Sequence, residues 1–396
     1  MFGFHYFRLD KERVEQHLGT FQRRIGLSEA AALIFSGTIG AGILGLPYAV
    51  AKVGSLIGIF YIVAIGALMI GFNLLVGEIA VRTKGDFHLV GMAGKYLGSA
   101  GKGLMTILVY LVSFGILVIY IIGEGESLSA LFGGSPLAWG LFFWLIGSSL
   151  VVVGLRVIKV MDVILSLLLL SVITFIITVS TSNVELVNFS YHNWEYLLLP
   201  FGVILFAFSG SGSVLEAHSL IGGDRKLFRK AILIAGGVIM AIYLVFALVV
   251  LGVTGAETTE IATIGLGNKI GSTVFWLGNI FAALAMATSF ITNSLLFRDS
   301  LRWDYRLPSW KASMLVCGVP FILYLFGLRG FIMAIDLIGG VFFSTEMLLI
   351  ILIYWQAKRK GDLPVGPYKL HHTWLLVALL ILLLVVGGVY SVVKLF

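Results

Sequence analysis

One cysteine, seven prolines and few charges set this 396-residue sequence apart. The lone Cys317 excludes a disulfide framework and any CxxC metal pair. Charged residues make up 12% of the chain, against roughly 25% in an ordinary soluble domain. A water-soluble fold has too little polar surface here to cover the 59% of residues that are hydrophobic. No GxxxxGK[ST] loop occurs, so no ATP-driven motor is indicated. Met1 to Leu27 is polar and basic and lacks the apolar core of a cleaved signal peptide. Its Phe2, Phe4, Tyr6 and Phe7 suit either a solvated tail or one resting on a membrane surface. The excess of 27 Lys and Arg over 20 Asp and Glu is spread between apolar runs. It therefore points away from nucleic acid, which selects a concentrated basic patch.

What the chain does have is apolar runs long enough to cross a bilayer, each about 20 residues. They fall near 29–51, 54–80, 103–131, 136–153, 160–180, 195–222, 229–252, 271–298, 311–327, 331–355 and 373–394. Helices are expected, because they satisfy their own backbone hydrogen bonds in lipid and the runs are too long for barrel strands. With residues 1–28 as a cytoplasmic tail, 23 of the 27 Lys and Arg fall in inside segments. The outside segments hold only Lys52, Lys269, Arg329 and Lys394. That asymmetry follows the positive-inside rule and predicts eleven spans with the end of span eleven outside. Residues 29–396 read as one transmembrane domain. The short loops suit a prokaryotic inner membrane, although the sequon Asn188-Phe189-Ser190 leaves a glycosylated eukaryotic protein open.

Two spans carry their own weak points. The first reads Phe35-Ser36-Gly37-Thr38-Ile39-Gly40-Ala41-Gly42-Ile43-Leu44-Gly45-Leu46-Pro47. Glycine costs roughly 1 kcal/mol against alanine inside a helix, and proline removes a backbone donor. The helix is expected to unwind around Thr38–Gly42, unless the glycines serve close helix packing. The sixth span repeats the theme as Phe208-Ser209-Gly210-Ser211-Gly212-Ser213-Val214-Leu215-Glu216. Five spans separate the two positions, so the second copy is inverted. Glycine-interrupted helices at matching places in inverted halves point to a transporter site near the membrane midplane. The repeats would be about 29–180 and 195–355, with 373–394 an added helix. The restarting half of span one, at Ala41, Gly42 and Ile43, offers N–H groups to a carboxylate. Carbonyls near Gly37 and Phe208–Ser209 suit an ammonium group. Together these poles fit a zwitterion, and Gly40 and Gly42 leave room for it. No side chain there is an obvious counter-ion for a charged substrate, which favours a neutral amino acid. The candidate substrate residues are Gly37, Thr38, Gly40, Ala41, Gly42, Ile43, Phe208, Ser209, Gly210, Ser211 and Gly212.

The stretch Gly37 to Ala49 resembles the first-helix motif of the amino acid/auxin permease family and its aromatic amino acid permease relatives. Phe206-Ala207-Phe208-Ser209-Gly210 with Glu216 resembles their sixth helix. That resemblance implies the amino acid–polyamine–organocation superfamily, an all-α leucine transporter fold and secondary uptake of amino acids driven by Na⁺ or H⁺. It implies no cofactor beyond that ion. It does not fix the amino acid or the oligomeric state.

The coupling ion stays open. In span eight, Ala285, Thr288 and Ser289 share one helical face and offer hard oxygen ligands. Their spacing resembles the ion site of sodium-coupled transporters of this fold, which would add carbonyls near Ser36 and Ile39. Hydroxyl bonding to the helix's own backbone is the alternative. Glu216 is the candidate for proton coupling. Glu124, Glu126, His218, Asp336 and Glu346 are further intramembrane ionisable groups. Glu78 and Asp162 sit nearer a face and suit structural pairing. Some superfamily relatives carry a lysine in mid-span five; Leu167 to Ser171 has none. A non-transporting sensor and a membrane-embedded enzyme are the competing functions. The first would be expected to carry a large cytoplasmic domain and the second a cluster of acidic or histidine residues.

Overall fold

A computed structural model describes residues 25–393 apart from 86, 154–158, 222, 305 and 329. The basic tail, Arg156, Arg329 and Lys394 lie outside the described residues. Among the described residues, every apolar run noted above is mainly helical. In chain order the helices are α1 (Leu27–Thr38), α2 (Gly42–Val53), α3 (Ser55–Arg82), α4 (Leu89–Phe132), α5 (Pro136–Val153), α6 (Lys159–Ser180), α7 (Leu199–Ala207) and α8 (Ser211–Leu220). They continue as α9 (Arg225–Thr254), α10 (Ala262–Ile270), α11 (Ser272–Asp304), α12 (Ser309–Leu325), α13 (Phe331–Leu337), α14 (Ser344–Lys360) and α15 (Thr373–Val393). Among the described residues, 8 spans are long and apolar enough to cross a membrane, the α7–α8 pair counting as one. The pair α1–α2, bent by 63°, makes a ninth. Leu170–Asn183 and Ser309–Leu325 are shorter apolar helices. The protein is an all-helical, multi-pass membrane protein.

The broken helices sit at the centre. α1 packs on α8 and α2 on α7, so the two broken helices cross antiparallel, first half on second half. α9 lies along both α1 and α2 and backs the crossing. Apolar side chains face lipid on the outer helices, as with Leu145 of α5 and Leu382 of α15. Small residues allow the close approaches inside. A Cβ on Gly66 of α3 would lie 2.9 Å from the Phe208 ring, and one on Gly115 of α4 would strike Ile338.

Several features add to the sequence reading. α4 starts at Leu89, well before the expected 103, and kinks at Gly98 (φ 75°). The α9–α11 connection contains α10, which begins where Thr259 Oγ1 accepts from the Gly265 N–H at 2.9 Å. Span ten holds a π-helical turn, Ile338–Phe343, between α13 and α14. A Cβ on Gly339 would collide with the Gly202 carbonyl of α7, so the wider turn lies where α7 comes nearest. Asn188, the sequon residue, spends its Nδ2 on the Gly252 carbonyl at 2.7 Å and packs beside Gly255. That anchoring argues for a packing role at this asparagine.

The basic groups cluster at one end. Asp362 pairs with Lys95 and accepts from the Lys84 N–H at 3.0 Å. The neighbouring Leu363 N–H donates to the Arg82 carbonyl at 3.1 Å. Lys95 and the Lys84 N–H hold the Asp362 carboxyl below the usual carboxylate range. Glu78 is fully buried and takes Arg82 at 2.6 Å, with the Tyr354 hydroxyl at 3.3 Å. The segment between α14 and α15 thus straps the ends of α3 and α4. At the opposite end stand Lys52, over the Tyr48 ring, and Lys269, paired with Glu257 at 2.8 Å.

Candidate functional site

The first break spans Ile39 to Ala41. Ile39 turns extended (φ −75°, ψ 116°) and ends α1. Helix resumes with short-range bonds from Ile43 to the Gly40 carbonyl and from Leu44 to the Ala41 carbonyl, at 3.4 and 3.1 Å. Among the described residues, no backbone carbonyl accepts from the N–H of Gly40 or Ala41. Their usual helical partners, the carbonyls of Ser36 and Gly37, are left without a backbone donor in turn. The open donors therefore sit at Gly40, Ala41 and Gly42, while Ile43 is engaged. Pro47 lies in the second turn of α2, inside helix and beyond the break.

The second break spans Phe208 to Gly210. Ser209 N–H and Oγ both donate to the Phe206 carbonyl, at 3.1 and 2.7 Å. The buried Tyr243 hydroxyl of α9 donates to the Ala207 carbonyl at 2.9 Å. Ser213 Oγ donates to the Gly210 carbonyl at 2.8 Å. The carbonyls of Phe208 and Ser209 have no backbone donor among the described residues. The Phe208 ring is buried and stands edge-on to Tyr243, centroids 5.0 Å apart.

The two breaks meet. A Cβ on Gly37 would lie 2.6 Å from the Ser213 Cβ. A Cβ on Gly210 would strike Thr38, whose Oγ1 bonds the Ile34 carbonyl at 2.7 Å. A Cβ on Gly42 would lie 2.8 Å from the Ala207 Cα. The glycines at 37, 42 and 210 are thus accounted for by helix packing. Gly40 differs: a Cβ there would meet only the Tyr120 hydroxyl of α4, at 4.0 Å. Gly212 likewise has open space. The backbone of Gly40 is therefore the approachable part of the first break.

Several of the candidate ion residues make bonds within their own helices. Ser36 Oγ donates to the Leu33 carbonyl at 3.1 Å. Thr288 Oγ1 lies 3.0 Å from both the Leu284 and Ala285 carbonyls, the backbone bonding weighed as the alternative. The Ser289 carbonyl accepts from Asn293 Nδ2 at 2.8 Å. α1 and α11 both border α6. Glu216 and His218 lie on α8, His218 against the Phe228 ring at 5.2 Å. Among the described residues no group of three His, Cys, Asp or Glu is placed to hold a metal.

A cavity flanks each side of the crossing. One, of about 290 Å³, lies at the basic end and is lined by Thr83, His218, Asp224, Arg225 and Phe228 among others. The other, of about 500 Å³, lies at the opposite end between Tyr48, Glu126, Ser129, Thr259 and Glu260. The sequence reading did not foresee Tyr243 or Tyr120, because each reaches the breaks from a separate helix.

A model of the tryptophan/tyrosine permease family matches residues 24–391. The tyrosine-specific transport system 2 of Haemophilus influenzae is 26% identical, over 86% of this chain and 89% of that protein. Glutamine transporter 2 of Aliivibrio fischeri is 28% identical, over 66% and 71%. The amino acid transporter AVT3C of Arabidopsis thaliana is 28% identical, over 62% and 64%. Among solved structures, MhsT in complex with L-phenylalanine aligns with TM-score 0.63 at 15% identity, covering 94% of this chain and 98% of that one. The Eremococcus coleocola manganese transporter aligns with TM-score 0.62 at 14% identity, over 92% and 86%. The fold is thus that of the leucine transporter type, and the chain belongs to the tryptophan/tyrosine permease family.

Proposed function

We propose that this protein is a secondary active transporter that takes up a neutral L-amino acid, aromatic or apolar, by alternating access coupled to Na⁺ or H⁺. The observation that carries the reading is the crossing of two broken helices, with open donors at Gly40 and Ala41. The carbonyls of Gly37, Phe208 and Ser209 lack backbone donors in the same crossing. Such poles fit the carboxylate and ammonium of one zwitterion. Phe208 supplies an apolar wall. The tyrosine transport of the Haemophilus relative and the phenylalanine bound by MhsT favour an aromatic side chain.

In this reading the chain makes eleven crossings. The two shorter helices and the bent pair count as spans beside the eight longer ones. The first five and the next five are inverted repeats, and α15 is an addition. The basic end is cytoplasmic, so a reporter fused after Phe396 is expected to work only on the outer side. The wider kinship with the amino acid/auxin permeases belongs to the same proposal.

The test is uptake of a radiolabelled amino acid panel into proteoliposomes under imposed Na⁺ or pH gradients. Binding without flux would instead favour a sensor on a transporter scaffold. Gly40→Ala discriminates the site. The protein has room for the methyl group, so the fold is expected to survive while affinity falls at least about tenfold, or about 1.4 kcal/mol. Unchanged affinity would remove the substrate from the first break. Sodium coupling through Ala285, Thr288 and Ser289, with Ser36 and Ile39, predicts that Thr288→Ala raises the Na⁺ requirement. Full transport in Na⁺-free buffer would remove that ion from the proposal.

A further inference from the structure

Glu124 is the buried acid that the site described so far leaves unused. It lies in α4, one helical turn beyond Tyr120, whose hydroxyl faces Gly40. Its neighbour Gly123 packs close to α11 and α13: a Cβ there would lie 2.6 Å from Met286 Sδ of α11 and 3.0 Å from the Phe331 ring of α13. The Glu124 carboxyl lies near the α11 backbone at Ala287. The residue is 2% exposed, and its Oε1 has no hydrogen-bond partner. Three residues on, Ser127 is 0% exposed and its Oγ is likewise unpartnered. The acid thus stands between the first break and the α11 face, beside a second idle oxygen.

The surrounding charges do not neutralise it. α5 carries no ionisable side chain. On α11 the nearest is Arg298, eleven residues from Ala287, about 16 Å along the helix. Arg298 is spent on the Val151 carbonyl and Asp299, and Arg302 and Asp304 lie still farther along. From α12 come the Tyr324 hydroxyl, donating to the Pro136 carbonyl, with Cys317 and, near the start of that helix, Lys311. Asp336 of α13 is turned to Gly202 of α7. On α14, Glu346 lies beyond Ile338, which itself packs on Gly115, nine residues back along α4. Tyr354, Lys358, Arg359 and Lys360 follow toward the basic end. On α4 itself, Glu126 faces the opposite-end cavity with Glu260. The remaining ionisable groups of α4 are Lys95, Tyr96, Lys102 and Tyr110, toward the basic end, and Tyr120.

A buried carboxylate with no cation beside it is costly and needs a compensating charge. One proton on Oε1 suits the place, because the acid then has a hydrogen to give to a neighbouring oxygen.

We propose that Glu124 carries the coupling proton of transport. This rests on the transporter reading above and narrows its ion to H⁺. The step balances simply. A proton from the outer side adds to the carboxylate, the neutral acid crosses the occluded state with substrate bound, and the proton leaves to the inner side. No electron moves.

The test uses the full chain in proteoliposomes, with L-tyrosine, L-tryptophan and L-phenylalanine as probes and a pH dye in the lumen. Wild-type uptake is expected to acidify the lumen and to rise about tenfold under an inward proton gradient. Glu124→Gln is expected to lose both responses while keeping amino acid exchange within about twofold. Glu124→Asp is expected to restore gradient-driven uptake with a displaced pH midpoint. Full gradient stimulation in Glu124→Gln would overturn the proposal, as would wild-type uptake that moves no protons. Should Glu124→Gln fail to fold, an unmoved midpoint in Glu124→Asp overturns it equally. Flux without proton movement strikes this inference alone. The absence of any flux or exchange of the three probes would bring down the transporter reading with it.

Discussion

The two breaks share a sequence theme but are finished differently. At the second, side chains add bonds around the break: Tyr243 serves the Ala207 carbonyl, while Ser209 and Ser213 reinforce the Phe206 and Gly210 carbonyls, which also accept backbone N–H groups. At the first, the N–H groups of Gly40 and Ala41 stay open, and Thr38 and Ser36 bond back into their own helix. Unmade hydrogen bonds at membrane depth are tolerated only where something polar meets them. The second break is therefore partly braced by side chains, with the Phe208 and Ser209 carbonyls left open, while the first has no such brace at Gly40 and Ala41.

The largest effect that would sharpen this contrast is steric. Gly42→Val forces a side chain into the Ala207 backbone. Overpacking of that kind costs about 1–3 kcal/mol. It is expected to reduce both folded yield and transport by tenfold or more, read by size-exclusion chromatography and uptake. Gly212→Ala, where the space is open, should leave both unchanged. A tolerated Gly42→Val would show that the crossing is looser than the Gly42–Ala207 approach implies.

Tyr243→Phe comes next. It strands the buried Ala207 carbonyl, a loss of about 1–3 kcal/mol. The melting temperature should fall, and substrate affinity should change less than it does in Gly40→Ala. An affinity loss larger than that of Gly40→Ala would reverse the roles given to the two breaks. Thr38→Val keeps the shape against Gly210 and removes one bond to the Ile34 carbonyl, worth about 1 kcal/mol. A stability change well beyond that would mean that the Thr38 hydroxyl serves the ligand as well.

The smallest effect lies far from both. The Asp362 carboxyl is held low by Lys95 and the Lys84 N–H. A group whose folded pKa is depressed stabilises above its unfolded value, about 3.9, and loses that contribution as pH falls through the folded value. Asp362→Asn should therefore lower the melting temperature slightly near neutral pH and make no difference in strong acid. An equal decrement at all pH values would mean that shape, not charge, holds the strap.

The sequence made the breaks legible because glycine and proline act locally. Phe35 to Pro47 and Phe208 to Gly212 announce weak helix without reference to any neighbour. The same locality limited the reading. Nothing near Gly42 says that its missing Cβ faces Ala207, so the glycine read equally as ligand space. Tyr243 looks like any apolar-helix tyrosine until α9 is laid along the crossing. The π-turn at Ile338–Phe343 depends on Gly202 of a distant helix. α10 is short and only moderately apolar, and it fell between two stronger runs. The hydroxyls of Thr288 and Ser36 lay on plausible faces, but a face does not reveal which carbonyl a hydroxyl will choose.

The interlock of Gly37 with Ser213, and of Gly210 with Thr38, has a consequence for how such a protein can diverge. Each glycine owes its size to one residue on the other broken helix. A lineage that enlarges position 37 must shrink position 213 at nearly the same time, and the same bond ties 210 to 38. Drift at these four positions should therefore proceed by compensated pairs. Gly40, which answers to no protein neighbour so closely, should be free of any such partner.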